Sequence, residues 1–378
     1  MKRNIAIVLL LTFISVGFAQ ESHLVNMTPA EIIDKSSDYY FGRNGVDRDL
    51  DKARELLLFV ASQQGYDALF AKVMLIELNF VDCDTVSQYF KQIEREVTQS
   101  IISDYSTFMN FLCRYYEEEN DDYEVLENRC TPKDDVNSHY WAKASAEFND
   151  AEGQYLYGRD LIYGIGTNVD IIEGLRWIKK SAEGGYAHSM MVLGECYWYG
   201  DYVQKDEKQA LLWFKEAAKH GKEDAYDHIA ITYYNGGDGI EQDTEEAKKW
   251  CREGIAMYNN TECCWFLSEI LYDEQTNPER IEALEKAAEK DDKSAQAEIA
   301  KLHAIGKIQN ADQLWGIQTL QMLSDDGNSR AMAIYGNMLY WGQYIQQNKI
   351  EGTKLIRLSA QDGDWLGVQY AKQINIQY

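Results

Sequence analysis

The sequence predicts an all-α solenoid of stacked helical hairpins. Three observations predict it. The stretch YGRDLIYGIGTNVDIIEGLRWIKKSAEGG (157–185) aligns with LGECYWYGDYVQKDEKQALLWFKEAAKHG (193–221), 36 residues downstream. Inside each copy, small and apolar residues recur three and four apart, the spacing of one helix face. The 378-residue chain holds only three prolines, which leaves long helices uninterrupted. A fixed period of this length marks a repeat array.

Further copies fit the same template at 38–65, 230–250, 264–290, 297–327 and 333–363. In each, a glycine stops the first helix: Gly42, Gly164, Gly200, Gly236, Gly306 or Gly342. Glycine takes the left-handed C-cap conformation without a Cβ clash. A short loop follows, then an expected N-cap at Asp49, Asp170, Asp206, Thr244, Asn277 or Asn310, whose side chains accept from orphan N–H groups. Asp170 with Glu173 and Asn310 with Gln313 have the spacing of capping boxes. The second helix is expected to turn Ala210, Leu211, Trp213, Ala217 and Ala218 inward. Small residues at Gly158, Gly194, Ala230, Ser268, Ala300 and Gly336 mark a helix crossing with no room for a side chain. One hairpin cannot bury its apolar faces alone; stacked copies can.

The ends and the irregular part complete the organisation. MKRNIAIVLLLTFISVGFA reads as a cleavable secretory signal, 1–19: two basic residues, an apolar run too short for a comfortable membrane span, then small residues. Degenerate helical repeats are expected over 20–148, with an acidic insertion near 117–131 inside a third hairpin. Well-formed repeats cover 149–365, and 366–378 reads as a C-terminal capping helix. Cys113 and Cys130 flank the insertion, and in an exported chain a disulfide between them is expected to close it.

The pattern A-x-A-x-x-x-L-G-x-x-Y-x-x-G, a loop, then D-x-x-x-A-L-x-W-x-x-x-A-A-x-x-G resembles Sel1-like repeats, relatives of tetratricopeptide repeats. The resemblance implies a right-handed α-solenoid and a role in binding other proteins. Some secreted relatives are cysteine-rich, with disulfides joining one hairpin to the next. Here Cys264 sits near the downstream position, but Ile255 and Ala256 stand where its partner would be. The same relatives imply an alternative function, hydrolysis of cell-wall-related or β-lactam substrates.

Composition and motifs weigh against most chemistry. After removal of Lys2 and Arg3, 35 basic side chains face 62 acidic ones. Nucleic acid demands the opposite balance, and so does an anionic membrane surface; basic protein or peptide partners fit. No S-x-x-K, G-x-S-x-G, H-E-x-x-H or C-x-x-C occurs, so no catalytic residue, metal ligand or cofactor site is assigned. Asp47, Asp49 and Asp51 imitate the start of a calcium loop, but Lys52 stands where glycine is needed. Asp49 is read as a helix cap.

The expected function is an exported scaffold that grips peptides along its concave face. With each closing glycine at position 14 of its first helix, positions 2, 5, 9, 12 and 13 face the groove by the geometry of the family. Position 12 reads Tyr40, Ile162, Trp198, Tyr234, Tyr272, Ala304 and Tyr340. Position 13 supplies Tyr163, Tyr199 and Trp341, and position 5 Trp265. Position 13 is expected to pack against its loop, position 12 to carry an aromatic ladder. Glu195, Asp227 and Glu269 bias the groove toward basic peptides.

Overall fold

The structure, a computed structural model, describes residues 27–78, 80–100, 105–117 and 133–378, the side chains of 99 and 100 excepted. The expected signal segment and the expected acidic insertion over 118–131, with Cys130, lie outside the described residues. The chain divides into two compact units, 1–186 and 187–378.

In the first unit four helical pairs follow one another. They are α1 (Pro29–Phe41) with α2 (Leu50–Ala61), α3 (Tyr66–Glu77) with α4 (Cys83–Ser100), α5 (Ser106–Tyr116) with α6 (Asp135–Glu147), and α7 (Ala151–Tyr163) with α8 (Ile171–Glu183). The second unit holds α9 (Ala187–Tyr199) with α10 (Glu207–Lys219), α11 (Ala225–Asn235) with α12 (Thr244–Tyr258), and α13 (Thr261–Ile270) with α14 (Pro278–Glu289). It continues with α15 (Lys293–Ala304) and α16 (Gln313–Asp325), α17 (Ser329–Trp341) and α18 (Lys349–Gln361), and a final single helix, α19 (Trp365–Gln373). No sheet occurs among the described residues.

The larger cores span more than one hairpin, as a stacked array requires. Ile32, Leu56, Leu57, Val60, Ala71 and Leu75 form one cluster across α1 to α3. Ala297, Ala300, Leu320, Leu323, Ile334, Met338 and Leu366 form another across α15 to α19. Within each unit, first helices pack against the first helix of the next hairpin: α5 on α7, α11 on α13, α15 on α17, α17 on α19. Second helices do not pack on one another to this extent, so the first helices form the inner wall of each unit.

Local chemistry sets these elements. Asp49, Asp170, Asp206 and Asn277 cap their helices through side-chain oxygens. Two caps differ from expectation. Asp243 rather than Thr244 caps α12, because Thr244 already has helical backbone. Asp312 rather than Asn310 caps α16; Asn310 sits in the loop at φ 56°. Asp170 and Glu173 make no reciprocal box, since Glu173 is engaged by Arg176 and Trp177. The reciprocal box lies at Thr28 and Glu31.

The crossing of paired helices explains the small residues. A Cβ on Gly174 would lie 2.6 Å from the Gly158 carbonyl oxygen, and one on Gly352 2.6 Å from that of Gly336. Both partners of these crossings are therefore glycine. Gly194 instead lies under the Phe214 ring, 2.4 Å from where its Cβ would be. The deepest position of the second helix is one residue beyond the expected tryptophan: Ile178 and Phe214 are buried, whereas Trp177, Trp213 and Leu211 are half-buried. Trp177 and Trp250 stay at the edge because each donates its indole N–H to a glutamate one turn earlier.

Candidate peptide-binding surface

The inner wall presents its residues at helical spacing. Positions 5, 9 and 13 fall four apart and share one stripe, with 12 beside it. Exposure reverses the expected order of the two aromatic positions. At position 13, Tyr163 and Tyr199 are 67% and 63% exposed, and Trp341 45%. They are exposed, not buried against the loops as expected. At position 12, Tyr40, Trp198, Tyr234, Tyr272 and Tyr340 are half-buried, while Ile162 is buried.

The half-buried rings have internal partners. Tyr40 meets Phe80 edge-on at 6.0 Å, and Tyr234 meets Phe266 on α13 at 5.5 Å. Trp198 lies 6.4 Å from Phe214, with the Lys205 ammonium over it at 6.0 Å. Tyr340 packs on Trp341 at 5.0 Å. Tyr40, Trp198 and Tyr234 thus pack against neighbouring elements.

From α13 to α19 the wall is filled by the chain's own charges. Glu298 and Arg280 are fully buried and paired at 3.0 Å. Arg330, 3% exposed, reaches Glu298 at 3.0 Å, Glu269 at 2.8 Å and Asp364 at 2.9 Å. Its guanidinium lies between the indoles of Trp265 and Trp365, at 5.0 and 5.1 Å. Trp365 also packs on Tyr272 at 4.8 Å and donates its indole N–H to Glu269. Lys301 donates to the Tyr272 hydroxyl at 2.8 Å. Glu269, Trp265 and Tyr272, read from sequence as groove residues, are thus engaged in internal contacts.

From α9 to α13 the wall is different. Glu195 is half-buried, Asp227 is 7% exposed, and Glu262 is exposed on α13. Asp227 Oδ2 meets His228 Nδ1 at 3.1 Å, and Lys222 pairs with Asp224 at 2.9 Å. Burial, and then Asp224 and Asp227, push the Glu195 carboxyl above its ordinary value against the pull of His228 and Lys222. Burial and Asp227 do the same to Glu262.

One further polar cluster lies in the first unit. Cys113, Glu117 and Asp160 are buried together, with donor atoms within 4.8 Å of one another. Ser138 donates to Glu117 at 2.9 Å, and His139 lies 3.3 Å from Asp160. Arg159 bridges the two carboxylates, meeting Asp160 at 3.0 Å and also pairing with Glu117. The guanidinium therefore supplies the positive charge that a cation would bring. Burial and then Glu117 push the Cys113 thiol well above its ordinary value, the reverse of an activated nucleophile. Cys113 is a free thiol and forms no disulfide with Cys130; the disulfide-bonded cysteine on this side of the insertion is Cys83. Cys113 faces the core of α5, α6 and α7, where Ser138 and Glu117 surround its sulfur. His303 accepts from the Asp312 N–H and stacks edge-on against Trp315.

The Sel1 repeat profile matches residues 38–64, 151–186, 187–222, 224–259 and 329–364. The chain is a Sel1-like repeat protein. Its fold is shared with a protective antigen of uropathogenic Escherichia coli that displays an SLR fold. The two are 21% identical over 90% of this chain and 71% of that one, with a TM-score of 0.63. A Sel1 repeat protein from Oxalobacter formigenes is 23% identical over 68% of this chain and 88% of its own, with a TM-score of 0.39. Among curated proteins, none matches the sequence. The hairpins at 261–289 and 293–325 fall outside the matched stretches; the first lacks the closing glycine. Sel1-like and tetratricopeptide-like scaffolds generally mediate protein–protein interaction. No helix among the described residues is long and apolar enough to cross a membrane.

Proposed function

We propose that this Sel1-like protein is an exported, non-catalytic scaffold that binds extended, basic peptide segments of partner proteins along the inner wall of its second unit. The observation that carries this reading is the contrast within that wall. From α13 to α19 the carboxylates have arginines of their own. From α9 to α13 Glu195 and Glu262 form no ion pair among the described residues, and Tyr199, one turn after Glu195 on α9, is exposed. A strand of peptide carrying Lys or Arg would supply both the missing charge and the apolar contact. Tyr and Trp give a large contact area at low entropic cost, which is why they dominate such surfaces. Export rests on the signal-like sequence of 1–19 and fits the disulfide at Cys83.

The test uses fluorescein-labelled ten-residue peptides of alanine and leucine with lysines at alternate positions, read by anisotropy. The full mature chain should bind them, and Tyr199→Ala combined with Trp198→Ala should weaken binding at least tenfold while the helical circular-dichroism signal persists. Equal binding by wild type and double variant would show that this wall is not the site.

A further inference from the structure

Among the described residues, buried carboxylates are met by a lysine or arginine of the chain itself, with one exception. Glu298 has Arg280, Arg330 and Lys301; Glu117 and Asp160 have Arg159. Asp227 has none. It is 7% exposed, its ion pair is with His228 through Oδ2, and its Oδ1 is buried with no hydrogen-bond partner. Among the described residues this is the one carboxylate oxygen in that state. A buried acceptor left unmatched is unfavourable by more than an ordinary hydrogen bond is worth, so native structures seldom keep one without a reason.

The setting around Asp227 supplies the reason. Asp224, exposed at the start of α11, half-buried Glu195 on α9 and exposed Glu262 on α13 lie near enough that, beyond partial desolvation, Asp227 raises the pKa of both glutamates. Four carboxylates therefore meet one lysine, Lys222, which pairs with Asp224, and one histidine, His228. We infer that Asp227 is the floor of a subsite for a single lysine or arginine side chain of a bound peptide, with Glu195 and Glu262 as its walls. This rests on the peptide-binding reading of the wall and assigns its specificity. The raised carboxyl pKa values of Glu195 and Glu262 agree with it, since partial desolvation and the like charge of Asp227 load both groups and an entering cation would relieve them. The pairs that Arg330 makes with Glu269 and Glu298 show the same chemistry completed from within, on the neighbouring stretch of the same wall.

The experiment compares three fluorescein-labelled nine-residue peptides of alanine and leucine that differ only at the central residue: lysine, arginine or glutamine. Wild-type full-length mature protein should bind the lysine and arginine peptides at least tenfold more tightly than the glutamine peptide. Asp227→Asn should abolish that preference and leave the glutamine peptide unchanged. Because Asn keeps the shape and an acceptor for His228, the melting temperature should stay level or rise. Glu195→Gln, nearer solvent, should reduce the preference about threefold and guards against a folding defect in the first variant. Equal binding of all three peptides by wild type, or an unaltered preference in Asp227→Asn, overturns the subsite while leaving the wall as a site. Tyr199→Ala with Trp198→Ala should weaken all three peptides alike. Binding of none of the peptides overturns the wall and the subsite together.

Discussion

Arg330 and Glu298 form an ion pair at 3.0 Å in which neither side chain is more than 3% exposed. Arg280, from α14, holds the other carboxylate oxygen at 3.0 Å. Taking such charges out of water is unfavourable unless every partner is present. Glu298→Gln would leave guanidinium groups without their counter-charge. It should lower the unfolding free energy by roughly 3–5 kcal/mol, read from urea denaturation.

The same carboxylate predicts an acid limb. Burial alone would raise the Glu298 pKa, but Lys301, Arg330 and Arg280 outweigh it and hold the group below its ordinary value of 4.5. A depressed folded pKa gives stability that is present above the unfolded value and lost as pH falls through the folded one. The urea midpoint should therefore decline as pH drops below 4.5, and Glu298→Gln should show a shallower decline. Parallel curves for the two proteins would remove Glu298 as the source.

The glycine crossings predict a steric effect. On Gly352 a Cβ would meet the Gly336 carbonyl oxygen and the Tyr340 nitrogen, both at 2.6 Å and both backbone. Gly352→Ala should destabilise by about 1–3 kcal/mol although alanine favours helix, because overpacking outweighs propensity. A melting temperature equal to or above that of wild type would contradict the close crossing.

Helix capping separates two adjacent residues. Asp243→Ala should lose about 1 kcal/mol, since it removes the acceptor for the Glu246 N–H. Thr244→Ala should stay within a few tenths of that energy scale, because Thr244 is only the first helical residue. Thermal melts of the two variants decide it.

Cysteine chemistry can be read directly. Under denaturing, non-reducing alkylation Cys113 should be labelled and Cys83 should not. In the native state Cys113 should resist the same reagent, being fully buried with a raised thiol pKa. Rapid native labelling would mean that α5 does not hold its sulfur inside.

Much of the architecture was legible in the sequence because it is written locally. Gly164 and Gly342 close their helices at positive φ, and Asp170 and Asp206 cap the next ones, all within a few residues of the signals that announce them. The two displaced caps arose where neighbouring residues compete for one role. The candidate site was only partly legible. Helical spacing placed Glu195, Asp227 and Glu269 on one kind of face. It could not tell that Arg330, 61 residues further on, returns to Glu269, because that depends on how tightly successive hairpins wind. Nor does spacing distinguish a ring that fills a seam, such as Tyr234, from one that stands clear, such as Tyr199. The Cys113 pairing failed for a similar reason: flanking a loop in sequence does not aim a sulfur at it.

The return of Trp365 and Asp364 to α13 and α17 has a thermodynamic consequence. Repeat arrays ordinarily unfold by fraying, since each hairpin answers only to its neighbours and the one-dimensional sum has no longer-range member. Here Glu269 is joined to Arg330 two hairpins on and to Trp365 three hairpins on. Loss of α19 would strip partners from α13, α15 and α17 at once, so the C-terminal third of the chain melts as a single cooperative block rather than hairpin by hairpin.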